Sequence, residues 1–293
     1  MIVSADQVKL LRERSGSGMM ECKKALVEAN GDIDTAFEYL RKKGSAQADK
    51  KASNIAAEGR MIIKISPDYK HAAMVEINSQ TDFVAKDDSF KEFAEGVAMC
   101  ALAAGVSDVS AIAELKFNDS ETIEEKRRSL VGRLGENIQI RRAHIMHSEG
   151  TIGSYLHSDR IGVLVQLSTD NKELGKDLAM HIAASCPRAI SPSDIPQSVI
   201  EKEREIFTAQ AQASGKPNDI IEKMVEGRIK KFTSEECLLG QPFVKDPSRT
   251  IDALLTSENA KVLSFVRFEV GEGIEKKVEN FADEVMAQVR GSK

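Results

Sequence analysis

The side chains that could make or break bonds in this chain are few. Five histidines and four cysteines are spread over 293 residues. His144 and His147 lie three apart, but no carboxylate or cysteine nearby completes a metal set, and His157 and His181 stand singly. They read as structural histidines, and neither a metal nor a cofactor is expected. No serine occupies a Gly-x-Ser-x-Gly elbow, so nucleophilic catalysis has no serine candidate. Cys22, Cys100, Cys186 and Cys237 match no reactive motif, zinc pattern or disulfide framework and are expected as buried, reduced thiols. Gly16-Ser17-Gly18 opens a helix and could hold a phosphate, yet the Walker lysine pattern is missing; a turn between helices accounts for it, as for Gly271-Glu272-Gly273. What remains is Gln80-Thr81-Asp82-Phe83-Val84-Ala85-Lys86-Asp87-Asp88-Ser89-Phe90, which sets an aromatic beside a carboxylate on a strand-to-helix connection. Phe83 is there either as a plug into the protein's own core or as a probe for another molecule.

Composition narrows what that other molecule can be. With 41% hydrophobic and 30% charged residues, the chain is expected to be folded, helix-rich and long enough for two or three domains. A net charge of -5 offers no broad positive field, so a protein partner is expected rather than nucleic acid. No run of about 18 apolar residues exists. Met1-Ile2-Val3-Ser4-Ala5-Asp6 also lacks the basic start and apolar core of a signal peptide. A cytoplasmic location without membrane contact is the expectation.

The elements that must position Phe83 follow from periodicity. Ser4 and Gln7 form a capping box for a first helix carrying Val8, Leu10 and Leu11; a second begins at Met19, and Ile33 to Leu40 forms a third. Met19-Met20 reads equally as an adaptable contact site or as the core of this bundle. The pattern Ala25-Leu26, Asn30-Gly31-Asp32, Ala36, Leu40 resembles the ubiquitin-associated fold, a binding module. Lys42 to Asn54 is almost free of apolar residues and reads as a linker or exposed helix that hinges the module to the rest. Two β-rich runs, Arg60 to Ile65 and Ala73 to Asn78, flank Pro67-Asp68 as a hairpin, and Ser89 to Ala104 is a helix.

The same order returns further along: a hairpin, Ile152 to Leu156 and Ile161 to Leu167 around Ser158-Asp159, then a helix, Lys172 to Ser185. This predicts a duplicated α+β unit. Ser79 to Met99 spans 20 positions and Ser168 to Met180 spans 12, so the first copy is expected to carry about eight extra residues at its connection, including Thr81-Asp82-Phe83. A plug required by the fold belongs in both copies; presence in one favours a functional loop. Between the copies, Ser120 to Leu134 is a charged helix ending at Gly135, followed by a strand from Ile138 to Arg142. Ser198 to Ala213 and Asn218 to Phe232, joined by Ser214-Gly215-Lys216-Pro217, read as an antiparallel helical hairpin of coiled-coil type. Its expected seam is Ile200, Ile206, Phe207, Ile220, Ile221, Met224 and Phe232. Gln241-Pro242-Phe243-Val244 reads as an exposed loop, Val262 to Val270 as a strand and Ile274 to Val289 as an amphipathic helix.

Gly18-Met19-Met20-Glu21-Cys22-Lys23-Lys24-Ala25-Leu26, Thr81-Asp82-Phe83-Val84-Ala85-Lys86, Gly135-Glu136-Asn137-Ile138, Gln241-Pro242-Phe243-Val244 and Arg267-Phe268-Glu269-Val270-Gly271-Glu272-Gly273 together resemble the translation elongation factor Ts family, in order over the whole length. The resemblance implies a guanine-nucleotide exchange factor for elongation factor Tu, acting without bond chemistry. It also implies partner contacts at Thr81, Asp82, Phe83 and Val84, with Phe83 as a wedge near the GTPase's magnesium and nucleotide. Arg12, Met19, Met20 and Lys23 in the N-terminal module, Leu134, Gly135 and His157 in the core, and Val244 and Lys245 near the end complete the implied contacts. In some family members the helical hairpin mediates self-association. Asp82 keeps two readings, acceptor for partner groups or cap of the following segment. The alternative function is a ubiquitin-associated-type adaptor without exchange activity.

The expected architecture is thus α+β. It comprises a ubiquitin-associated-like module (1–44), a linker (45–56), core subdomain N (57–143), core subdomain C (144–189 and 233–270), the helical hairpin (190–232) and a C-terminal helical module (271–293).

Overall fold

The computed structural model describes residues 3–213 and 217–275. Helix α1, Ala5–Ser15, starts on the capping box: the Ser4 hydroxyl accepts from Gln7 N–H while the Gln7 side chain accepts from Ser4 N–H. Helices α2 (Met19–Glu28) and α3 (Ile33–Lys51) close around Leu11, Cys22, Leu26 and Ala36, all fully buried. Here α3 departs from expectation. It does not stop near Leu40: of the two readings of the polar stretch, linker or exposed helix, the structure has the helix, and the linker expected over 45–56 is helical through Lys51. Its second half is polar on one side only; Ala48 is buried in the next core.

That core is built on a three-stranded antiparallel sheet. Strands β1 (Glu58–Ile65) and β2 (His71–Ser79) are followed by helices α4 (Asp82–Lys86), α5 (Asp88–Ala104), α6 (Val109–Glu114) and α7 (Ile123–Leu134), and then β3 (Ile138–His147), in spatial order β1-β2-β3. Strand β3 runs on to His147, which pairs with His71, so the boundary predicted after residue 143 falls inside a strand. Helix α3 crosses α7 at glycines: a Cβ on Gly132 would stand 2.8 Å from the Gly44 Cα. Backbone contact of this closeness leaves no room for the predicted hinge.

The second sheet repeats the first. It comprises β4 (Thr151–His157), β5 (Ile161–Leu167) and, after α8 (Lys172–Ser185), α9 (Gln197–Gln212), α10 (Asn218–Glu236), the two-stranded β6 (Pro242–Phe243) and β7 (Asp246–Thr250) and α11 (Ile251–Ser257), the strand β8 (Val262–Glu269). Its order is β4-β5-β8, again with the second strand in the middle. Along β2, Ala73, Val75 and Ile77 face the α5 side with Phe90 and Phe93, whereas Ala72 and Met74 face Ile152 and Leu164 of the other sheet. On β5, Val163, Val165 and Leu167 likewise pack toward Leu174 and Leu178 of α8. Both middle strands are buried on both faces, which is why they read as continuous apolar runs.

Glu76 interrupts the run on β2 and is fully buried. Arg141 Nη1 lies 2.9 Å and Arg142 Nε 2.6 Å from its two carboxylate oxygens, and Gly271 N–H donates to it at 2.8 Å. Successive residues of a strand normally point to opposite faces. The register skips Arg141 between Glu76↔Arg142 and Ile77↔Ile140, and this bulge brings both guanidiniums to one carboxylate. Burial alone would raise the Glu76 pKa; the donors Gly271, Arg141, Arg142 and Asn78 outweigh it and hold it below the usual carboxylate value. Because Gly271 follows β8, the cluster staples the first sheet to the end of the second.

Two expectations change in the remainder. The helical hairpin α9/α10 closes on Ile200, Phe207, Ala211, Ile221, Val225 and Ile229, while Ile206 and Ile220, both expected in the seam, are exposed; residues 214–216 of its tip lie outside the described residues. Cys22 and Cys237 are buried, but Cys186 is exposed at the C-cap of α8 and Cys100 only half-buried. The helix expected over 274–289, and with it the module over 271–293, lies outside the described residues from residue 276 on.

Candidate functional site

A five-residue helix cannot hold itself in water, so α4 must be held by what surrounds it. Val84 and Ala85 turn inward and join the first core with Phe90 and Phe93. Asp82, Phe83 and Lys86 are left on the outer side, and Phe83 is 81% exposed. Of the two readings of this aromatic, the plug is excluded; Phe90, seven residues on, is the plug.

The cap of α4 is Thr81, whose Oγ1 accepts from Val84 N–H at 3.4 Å. The capping reading of Asp82 therefore passes to Thr81. Asp82 instead pairs with Lys86 at 2.6 Å, and the Lys86 ammonium holds its pKa below the ordinary value. Thr81 is gripped from behind by Glu136: its N–H donates to Oε2 at 3.0 Å and its hydroxyl to Oε1 at 2.7 Å. Next to it Gln80 Oε1 accepts from Asn137 N–H (2.8 Å) and Asn54 Nδ2 (3.1 Å), and Asn137 Nδ2 donates to Asn54 O (2.7 Å). These bonds bring Thr81 to Val84 together with Gly135, the left-handed C-cap of α7 (φ 76°). Leu134 is only partly exposed and packs against the first core, so its side chain is largely committed inside.

The other residues implied by resemblance lie on three further elements. In the helical module, Arg12 and Lys23 are exposed, as are Met19 (59%) and Met20 (65%), so the bundle core is Cys22, Ala25 and Leu26 and not the methionine pair. His157 is exposed at the end of β4, 3.2 Å from the Tyr155 hydroxyl, and the turn after it is tied to the start of β1 by Arg160–Glu58 (2.7 Å) and Asp159 O···Met61 N (2.8 Å). Glu58 pairs with Ser79 in the β1–β2 ladder, so His157 and Thr81 flank one end of that ladder.

The segment Gln241-Pro242-Phe243-Val244 is not the uniformly exposed loop expected. Gln241 and Phe243 are buried, and only Pro242 and Val244 face out. His181 on α8 holds it: Nδ1 accepts from Val244 N–H (3.2 Å) and Nε2 lies 3.0 Å from Gln241 Oε1. Burial pushes the His181 pKa down, partly offset by the Gln241 bond. Lys245 is paired with Asp177 of α8 at 2.5 Å. Among the described residues no bond joins Val244 or Lys245 to the Phe83 turn, no set of three or more His, Cys, Asp and Glu side chains is placed to hold a metal ion, and no helix is long and apolar enough to cross a membrane.

In the sequence Gln80, Glu136 and Asn137 stand within motifs and His181 reads as structural, but none of the four is given its partner there, and the buried Glu76 is passed over. A signal existed for two of them: Glu136-Asn137 directly follows a helix-ending glycine and precedes a buried strand, a place where a polar pair needs partners.

Fold and surface together define a mixed helix-and-sheet scaffold that presents exposed apolar side chains on firmly held turns. The chain belongs to the elongation factor Ts family, translation factors of protein biosynthesis: the sequence profile of the family described as "Elongation factor TS" matches residues 80–272. Elongation factor Ts of Methylococcus capsulatus is 56% identical over 293 residues, and that of Thioalkalivibrio sulfidiphilus 54% over 294, each covering 100% of both chains. That of Legionella pneumophila is 54% identical over 288 residues, 98% of this chain and 99% of its own.

Proposed function

We propose that the protein binds elongation factor Tu carrying GDP and speeds release of the nucleotide, with Phe83 inserted into the GTPase near its magnesium and nucleotide site. The observation that carries this reading is Phe83 itself, an aromatic held out in solvent on a helix whose inner face is buried. A rigid ring brings a large apolar area with few rotors to freeze, and so displaces partner side chains at low entropic cost. Exchange needs no bond made or broken. It works by linkage: a factor that binds the empty GTPase more tightly than the loaded one weakens nucleotide binding by the same ratio, and a coupling of about 3 kcal/mol corresponds to roughly 150-fold.

Asp82, Gly135, His157, Met19, Met20, Arg12, Lys23, Val244 and Lys245 are the accompanying contacts in this proposal, while Val84, turned into the core, anchors α4 beneath them. Stopped-flow release of a fluorescent GDP from elongation factor Tu tests it. The expected result is acceleration by the wild-type chain; binding without acceleration would leave only the adaptor reading. Sedimentation of the same mixture reads its stoichiometry and any self-association through α9/α10.

A further inference from the structure

The segment 80–87 is held at both ends by the last turn of α7 and the residues after it. Glu136 uses both carboxylate oxygens on one residue, Thr81, taking the backbone N–H and the hydroxyl. The same hydroxyl caps α4 through Val84 N–H. Both donors of Thr81 are thus spent inside the molecule, and its hydroxyl already serves there as an acceptor. At the other end Arg133 approaches Asp87, the N-cap of α5, at 3.9 Å, and its guanidinium also lies against Gly16, the turn that precedes Met19. Asn137 fixes Gln80 and the chain after α3. One short stretch, 133–137, therefore sets where the Phe83 turn stands and touches the turn leading to Met19 and Met20.

We propose that Glu136 is the positioning residue for Phe83, and that Thr81 is the handle it grips rather than a contact with the partner. This rests on the reading of Phe83 as the probe of elongation factor Tu. Charge-assisted bonds to a carboxylate are the strong class of hydrogen bond, and two of them on one residue fix direction as well as distance. Packing of Val84 and Ala85 keeps α4 on the core, but two small apolar side chains do not by themselves define the rotation of a single helical turn. Without the Glu136 grip the turn samples other orientations, and apparent affinity falls by the fraction that remains competent.

The chain contains no Trp, so Phe83→Trp places a single reporter at the site. In the free protein, Glu136→Gln is expected to speed local motion of that Trp, read by time-resolved anisotropy, with thermal unfolding little changed. In GDP release from elongation factor Tu, Glu136→Gln in the native chain is expected to raise the half-saturating concentration on the order of tenfold, with the maximal rate retained. Thr81→Val is expected to match it and Thr81→Ser to restore it; combining Glu136→Gln with Thr81→Val is expected to add little, since both break one grip. Additive losses would show Glu136 acting on the partner directly and overturn the proposal, as would unchanged Trp motion or unchanged release. A wild-type chain that leaves release unaltered would instead overturn the exchange reading, while the anisotropy of the free chain still decides whether Glu136 orders the turn.

Discussion

After β2 the chain uses residues 80–87 to reach α5, whereas after β5 it needs only 168–171 to reach α8. The shorter connection is sufficient: Asn171 caps α8 by accepting from Leu174 N–H at 3.0 Å, and the helix lands on its sheet. In the longer one Asp87 performs the same capping for α5, and the surplus residues fold into α4 with a cap and a clamp of their own. The two halves share strand order and a helix on the outer face. The frame therefore does not require Phe83, and exposure of the ring is an addition with its own supports.

Two phenylalanines seven residues apart give the largest test of that separation. Phe90→Ala empties a fully buried site and is expected to cost about 3–5 kcal/mol in denaturant unfolding. Phe83→Ala is expected to leave stability within about 0.5 kcal/mol while slowing GDP release at least about tenfold. A loss of stability at Phe83 approaching that at Phe90 would erase the distinction between frame and addition.

The inter-sheet faces of the two middle strands offer a second contrast. On β2 the polar residue is Glu76 with two arginines; on β5, by the same alternation, it is Gln166, whose Oε1 accepts from the Ser264 hydroxyl at 2.9 Å. Glu76→Gln leaves two guanidiniums facing a neutral amide and is expected to cost about 2–3 kcal/mol, against about 1 kcal/mol for Gln166→Leu. Since the folded Glu76 pKa lies below its ordinary value of 4.5, the staple is complete above that pH and is lost as pH falls through the depressed value. Acid unfolding of the Glu76→Gln variant is expected to show a correspondingly shallower pH dependence.

Much of this frame is legible in sequence because local signals state it. The capping box at Ser4 and Gln7, the turn at Ser158-Asp159 with both residues at positive φ, and the helix Lys172–Ser185 each depend on neighbours in the chain. The eight-residue surplus read from sequence is four in the connection and three in the helix before its Ala-Met pair, and the last arises because Ser79 still belongs to β2 whereas Ser168 lies past β5; the distinction requires knowing where the elements start and end. Long-range partners are what a single sequence hides. The second half of α3 reads as a linker or exposed helix because its exposed side is polar, and what the other side meets is shown by the Gly44–Gly132 approach and by Ala48 in the first core. At the candidate site the probe is legible, since an aromatic in a polar connection is conspicuous, but its supports are not: Glu136 lies 55 residues from Thr81, and His181 63 from Val244.

The smallest expected effect compares the two loops through their supports. Val244 hangs from a titratable ring, whereas the acceptor for Val84 N–H is a hydroxyl that does not titrate near neutrality. Gln241 Nε2 donates to Glu235 O at 2.8 Å, so its Oε1 faces His181 and accepts a hydrogen bond from Nε2–H; Nδ1 is then free to accept from Val244 only while the ring is neutral. Burial lowers the folded pKa below the ordinary 6.5. The linkage therefore gives stability that is present above about 6.5 and is lost as pH falls through the lower folded value. A proton on Nδ1 displaces the Val244 N–H and removes a bond worth about 1 kcal/mol, while the Lys245–Asp177 pair beside it keeps the loop from leaving. Hydrogen exchange at the Val244 amide is expected to quicken as pH falls below 6.5, after correction for intrinsic rates, with Val84 unaffected. If both amides loosened together, the acid effect would belong to the shared frame and not to the His181 support.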